Sequence, residues 1–180
     1  PIPGHRYVIG LDTSEGLIKE GWRDPDSTVF IVLDQTAGGE QVCRLSGQIS
    51  EENVVEPFLL TAEHYNGAFM VIERNAGGVH VVHSVKKVYP NERIYKKLDW
   101  DNKTKRNSHI MGFRTTHANR TPLVSQLASA IHTGGVIIHD EDTQNECRWF
   151  HYSVGGRPEA SFGHHDDHVF ALALALEGMV

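Results

Sequence analysis

Tyr7-Val8-Ile9-Gly10-Leu11-Asp12 is the stretch on which the fold turns. Its apolar run, closed by a carboxylate, reads as a buried strand that delivers an acid to its C-terminal end. Residues 28–33 (TVFIVL) form a second strand and residues 41–49 alternate as a third, with the hairpin turn Thr36-Ala37-Gly38-Gly39 between them. Ser50 then opens a helix as N-cap, with Asn53 at its third position. That helix is predicted to run to about Tyr65 despite Pro57, and Asn66-Gly67 stops it. Phe69-Met70-Val71-Ile72-Glu73 is a short apolar strand that again ends in a carboxylate. Downstream the pattern predicts a helix over 77–88 and a polar, basic hairpin or mobile loop over 90–112. A second helix spans 122–131, on the spacing of Leu123, Val124, Leu127, Ala130 and Ile131. A strand at 136–138, a helix over 140–150 capped by Asp140 or Asp142, and an Ala/Leu-rich helix over 166–176 complete the chain. A three-strand meander followed by alternating units indicates an α/β protein: a mixed central sheet flanked by helices.

Composition narrows the class. The 180 residues are 39% hydrophobic and 22% charged, which suits one soluble domain with a sizeable core and excludes a disordered, collagenous, coiled-coil or disulfide-scaffold chain. Apolar runs such as residues 170–176 are too short to cross a bilayer. No signal peptide is visible, and the missing initiator Met suggests a fragment of a longer protein. Cys43 and Cys147 make no CxxC pair, so a zinc knuckle or redox motif is not indicated; a reducing cytoplasm is the default, with a disulfide left open. The net charge of -6 conceals a polarity. Residues 86–120 hold ten of the 17 Lys and Arg but three of the 23 acids, so that segment is +7 and the remainder -13. Such a chain can present one basic face and one acidic pocket.

Three acidic positions share a pattern: Asp12 and Glu73 end strands, and Asp166-Asp167 opens the last helix. Each alone has an ordinary reading, as a turn residue, a partner of Arg74 or a helix cap. Strand ends and helix N-termini on one side of an α/β sheet are where sites collect. Carboxylates converging there repel one another unless cations balance them, and Mg²⁺ suits such oxygen ligands. His164-His165-x-x-His168 suggests a transition-metal site, but adjacent histidines entering a helix point in different directions. His164 and His168 would share a face only if the helix started early. Trp22, Trp100 and Trp149 read as packing residues rather than base-stacking platforms.

Taken in order, these residues resemble a family. Residues 7–16 (YVIGLDTSEG) followed by Asp26-Ser27 look like the first motif of the nuclease domain of phage terminase large subunits. Residues 72–78 (IERNAGG) are similar to the second motif, an acid followed by Asn and Gly. Gly112-Phe113-Arg114-Thr115-Thr116 with residues 120–127 look like the next conserved stretch, and residues 163–175 (GHHDDHVFALALA) resemble the third acidic motif.

The resemblance implies an RNase H-like fold and a metal-dependent endonuclease that cuts concatemeric viral DNA during packaging. It implies Asp12, Glu73 and Asp167 as metal-binding carboxylates. Asp166 is an assisting or capping residue, and His164 sits where some relatives have a functional His. Two Mg²⁺ or Mn²⁺ ions about 4 Å apart are expected, one activating a water and one stabilising the leaving 3′-oxygen. Lys86, Lys87, Lys103, Lys105, Arg106, Arg114 and Arg120 are expected to hold the backbone of double-stranded DNA with little base preference. The implied partners are an ATPase motor domain, the small terminase subunit and the portal, in the host cytoplasm and without a membrane. No GxxxxGK[ST] loop occurs, so residues 1–180 read as a single nuclease domain without its motor. Other readings are a Holliday-junction resolvase or transposase-like nuclease of the same superfamily, a catalytically silent RNase H-like docking module, and a His-liganded metallohydrolase.

Overall fold

The computed structural model describes residues 1–14, 26–75, 77–101 and 105–179. A four-stranded sheet of order β3-β2-β1-β4 lies at its centre. It comprises β1 (Tyr7–Asp12), β2 (Thr28–Asp34), β3 (Glu40–Gly47) and β4 (Phe69–Ile72). β1 pairs antiparallel with β2 and parallel with β4, and β2 pairs antiparallel with β3, so the mixed sheet has the expected meander and one parallel neighbour.

Period-two alternation sorts the strand residues between two apolar layers. Val8, Val29, Ile31, Leu33 and Val71 face α3 (His117–Thr133) and α5 (Asp167–Glu177). Ile9, Leu11, Phe30, Val32, Met70 and Ile72 face α1 (Val55–His64) and α2 (Gly78–Val85). Helix α5 is buried along all but its last residue, which explains why its sequence is apolar all round rather than striped. It lies antiparallel along β1: a Cβ on Gly10 would collide with the Ala171 carbonyl and the Ala175 amide. Asp167, Ala171 and Ala175, four apart, form one stripe of that helix. Small residues on both sides let helix and strand backbones touch.

Several elements differ from the sequence reading. Residues 136–138 do not form a strand; Ile137 makes one parallel bridge to Glu40. Past that bridge the Gln41 side chain takes the place of a ladder partner: its Oε1 accepts the amides of His139 and Asp140, at 3.0 Å each. α3 begins at His117 instead of Pro122, because Thr116, six residues before that proline, forms a reciprocal capping box with Asn119. α1 starts at Val55, one turn after Ser50, although the Ser50 hydroxyl does accept the Asn53 amide at 3.4 Å. α2 ends at Val85 rather than Val88. α4 (Glu141–Arg148) is capped by Asp140 and is shorter than expected, since Phe150 enters a small hairpin. That hairpin, β7 (Phe150–Tyr152) with β8 (Pro158–Ala160), has no counterpart among the predicted elements. The basic segment does fold as a hairpin, β5 (Lys96–Asp101) against β6 (Arg106–Met111). Trp100 and Trp149 are about half exposed rather than packed in the core, and Trp22 lies outside the described residues. Both cysteines are free thiols. Among the described residues no helix is long and apolar enough to cross a membrane.

Candidate active site

The alternation that builds the two layers also aims the acids. Asp12 has the parity of Val8 and Gly10, and Glu73 has that of Val71, so both project to the α5 side of the sheet. Leu11 pairs with Ile72 in the parallel register, which brings Asp12 and Glu73 side by side at the strand ends. Glu73 acts on Asp12 both through its charge and through hydrogen bonding. Because α5 runs antiparallel to β1, its first residue, Asp167, arrives at the same end. Asp167 and Asp166 both act electrostatically on Asp12. Burial, then Glu73, then the two aspartates push the Asp12 carboxyl well above the usual range. Burial likewise lifts Asp167 to about 7, helped by Asp26, Glu146 and Asp166 and opposed by the Ser27 amide, which donates to its Oδ2 at 2.7 Å.

Asp166 points elsewhere. It sits at the N-cap of α5, makes no side-chain cap, and accepts from Arg120 at 2.6 Å. Arg120 also donates to the Pro158 carbonyl and lies 4.1 Å over the Phe170 ring, so this predicted DNA contact is drawn into the protein. Lys86, Lys87, Lys105, Arg106 and Arg114 are exposed. Lys103 lies outside the described residues.

Asp26 and His165, absent from the predicted set, gather around Asp167 in a tight group that does not include Asp12 or Glu73. Ligand atoms of Asp26, His165 and Asp167 lie within 4.8 Å of one another. The Asp26-Ser27 pair quoted with the first motif was the available signal, but nothing in the sequence said that its partner would be His165. His164 does not share a helix face with His168, because α5 starts at Asp167. Instead His164 stacks on Trp149 at 4.7 Å, and His168 is tied to Glu146 through its amide and ring.

The loop after β4 is braced. Asn75 donates to Glu73 Oε1 at 3.1 Å and to the Thr115 carbonyl at 2.9 Å. Gly78 opens α2 where a Cβ would collide with the Glu73 carbonyl, which explains the acid-Asn-Gly pattern. A cleft of about 250 Å³ opens on Glu73 between Thr115 and Arg157. Among the described residues the two buried side-chain atoms without a hydrogen-bond partner are the hydroxyls of Thr13 and Thr115. Thr13 follows Asp12, and Thr115 supplies the carbonyl that holds Asn75. The gathered carboxylates, with Asp12 and Asp167 held against ionisation, form an oxygen-rich donor set that fits a hard divalent cation.

A mixed sheet with its acids gathered where the first strand, the fourth strand and the last helix meet defines an RNase H-like domain. The family model for the terminase RNaseH-like domain matches residues 9–178, and the chain belongs to that family. The large terminase nuclease from thermophilic phage G20c with bound magnesium is similar in fold, with a TM-score of 0.70 and 22% identity over 98% of this chain and 82% of that one. The same nuclease with bound cobalt gives a TM-score of 0.70 at 21% identity, with the same coverage. The Thermus phage P74-26 large terminase nuclease domain gives 0.66 at 24%, covering 97% of this chain and 80% of that one. No curated protein sequence matches the chain.

Proposed function

We propose that this domain is the nuclease of a phage large terminase: a Mg²⁺- or Mn²⁺-dependent endonuclease that cuts concatemeric viral DNA during packaging, in the host cytoplasm. The observation that carries the reading is the convergence of Asp12, Glu73 and Asp167 at one end of the sheet, with Asp12 and Asp167 held against ionisation. Asp12, Glu73 and Asp167 would hold the metal, and Asp26 and His165 extend the donor set on the Asp167 side. A bound pair of divalent ions would supply an activated water and neutralise charge on the leaving oxygen. The chain's own groups do the positioning. The Ser27 amide orients Asp167, Asn75 orients Glu73, and Arg120 holds Asp166 away from the acidic pair. His164, stacked on Trp149, lines the cleft that also contains Asp167 and is placed to act as an auxiliary group there. Lys86, Lys87, Lys103, Lys105, Arg106 and Arg114 make the domain's contacts to the DNA backbone. These contacts carry no base information, so cleavage is nearly sequence-independent. The structural neighbours were solved with magnesium, cobalt and zinc, which supports a divalent-ion site here. By family membership the domain works with an ATPase motor, the small terminase subunit and the portal.

The test is plasmid nicking with Mg²⁺, Mn²⁺ or EDTA, using wild type, Asp12→Ala and Asp167→Ala side by side. Metal-dependent relaxation and linearisation that disappear in both variants is the expected result. Cleavage that persists in EDTA or in both variants would overturn the assignment.

A further inference from the structure

Asp167 is the first residue of α5, so whatever fixes the start of that helix fixes the acid. Asp166, at the N-cap, supplies no side-chain cap, and its carboxylate is turned to Arg120. The cap comes from another helix. Glu146 of α4 accepts the backbone amide of His168 on Oε2 at 2.8 Å, and its Oε1 takes the ring Nδ1 of the same residue. First-turn amides have no partner within their own helix and form its positive end, so a carboxylate placed there satisfies a donor and gains from the dipole. Both Glu146 oxygens are thus engaged on α5, although the side chain lines the same cleft as Asp167, of about 560 Å³. The buried His168 ring is held from its other side as well. Its Nε2 lies 3.2 Å from an Arg44 Nη1 on β3. A guanidinium only donates, so Nε2 accepts and the ring proton sits on Nδ1, where it is donated to Glu146. Arg44 is gripped in turn by the start of α4, with Nε 2.9 Å from Asp140 and Nη2 2.9 Å from Asp142. Asp142 and Glu146 are four apart and share a face of α4. The circuit Asp142–Arg44–His168–Glu146 therefore closes on itself and ties β3, α4 and α5 together one residue from Asp167.

We propose that Glu146 and His168 are positioning residues for Asp167: Glu146 caps α5 from α4, and the His168 ring, wedged between Glu146 and Arg44, holds the start of the helix so that the Asp167 carboxyl faces Asp12 ready for a divalent ion. The proposal rests on the metal site of the nuclease reading and adds no ligand to it. Neither residue touches the reacting atoms. A carboxyl already held in place binds an ion more tightly than one that must be ordered on binding, because less conformational freedom is lost. Charge alone is the rival account, since Glu146 also brings a negative charge to the cleft. The bidentate contact with His168 favours positioning, because it spends both oxygens on the helix.

The test is calorimetric titration of the domain with Mn²⁺ in the absence of DNA. Glu146→Ala is expected to weaken Mn²⁺ binding roughly ten- to hundredfold, the scale on which groups that orient metal ligands act. Glu146→Asp keeps the charge but is one methylene short of the helix, and should lose nearly as much. His168→Asn keeps a donor where Nδ1 stood and should stay within about threefold of wild type, whereas His168→Gln, whose amide reaches the Nε2 position instead, should lose about tenfold. A merely structural role would reduce stability and the fraction of competent protein while leaving the affinity of the folded fraction unchanged. In nicking assays the affected variants should need more Mn²⁺ for the half-maximal rate and approach the wild-type rate at saturation. Wild-type Mn²⁺ affinity in Glu146→Asp would overturn the proposal in favour of charge. Equal losses in His168→Asn and His168→Gln would overturn it too, and that pair decides alone if the Glu146 variants fail to fold. A wild type without affinity for Mn²⁺ sinks both the positioning and the metal site. A wild type that nicks while all four variants bind Mn²⁺ as it does sinks the positioning alone. Mn²⁺ binding that follows the expected order without any nicking sinks the nuclease reading alone.

Discussion

Asp167→Asn is expected to make the metal-free domain more stable while destroying its activity, and the size of the gain follows from the site. The ordinary value for an aspartate here is 3.8, and burial lifts Asp167 to about 7. Moving a carboxyl that far corresponds to about 4 kcal/mol against its ionisation in the fold. Below about pH 4 both folded and unfolded chains carry the proton, and nothing is lost. Between about pH 4 and pH 7 the unfolded chain releases it and the folded chain keeps it, so stability falls as pH rises; above pH 7 the loss is complete. Asparagine cannot ionise, yet its side-chain oxygen still accepts from the Ser27 amide. At pH 8 in EDTA the variant should therefore gain about 2 to 4 kcal/mol over wild type, and at pH 4 almost nothing. Urea denaturation at the two pH values measures both. Added Mg²⁺ should stabilise wild type at pH 8 and leave the variant nearly unmoved, since only a ligand that binds the native state shifts its stability. A variant no more stable than wild type at pH 8, with equal stability at pH 4, would refute the claim that Asp167 is held against ionisation.

Asn75→Ala should leave the fold intact and raise the Mn²⁺ concentration for half-maximal nicking about tenfold, because groups that orient metal ligands affect affinity on that scale. An unchanged metal titration would reduce Asn75 to a loop brace. Gly10→Ala should cost about 3 kcal/mol or more in urea denaturation, since the added methyl group meets the backbone of α5 rather than a movable side chain. A loss below about 1 kcal/mol would mean that α5 can shift off β1 freely. Thr13→Val should keep or raise metal-free stability by up to about 1 kcal/mol, because it removes a buried hydroxyl without a partner. A large destabilisation on calorimetry would show that the hydroxyl is satisfied after all.

Local pattern carried much of the fold. The apolar runs of β1, β2 and β4, the Asn66-Gly67 stop with both residues at positive φ, and the Ala/Leu helix were legible because burial on both faces leaves an unbroken apolar signature. What failed did so where a side chain or a cap overrode propensity. The Gln41 side chain replaced ladder partners at 139–140, and Thr116-Asn119 began a helix upstream of the proline that looked like its start. The small hairpin at 150–160 has strands of three residues, too short to show a period.

By itself, then, the sequence determined that acids would stand at two strand ends and at one helix start, and that a basic segment would adjoin them. These are properties of residue order and of the pleat. The resemblance names Asp167 rather than Asp166 as the third acid, but only the tertiary structure shows how the helix presents it to Asp12. That depends on α5 crossing β1 in reverse, its Asp167–Ala171–Ala175 stripe laid against Gly10, while Asp166 is turned toward Arg120. The same packing brought Asp26 and His165, 139 residues apart in the chain, to one carboxylate. Contacts at that separation leave no trace in local spacing, because they are set by how helix and sheet close-pack and not by the chain that connects them.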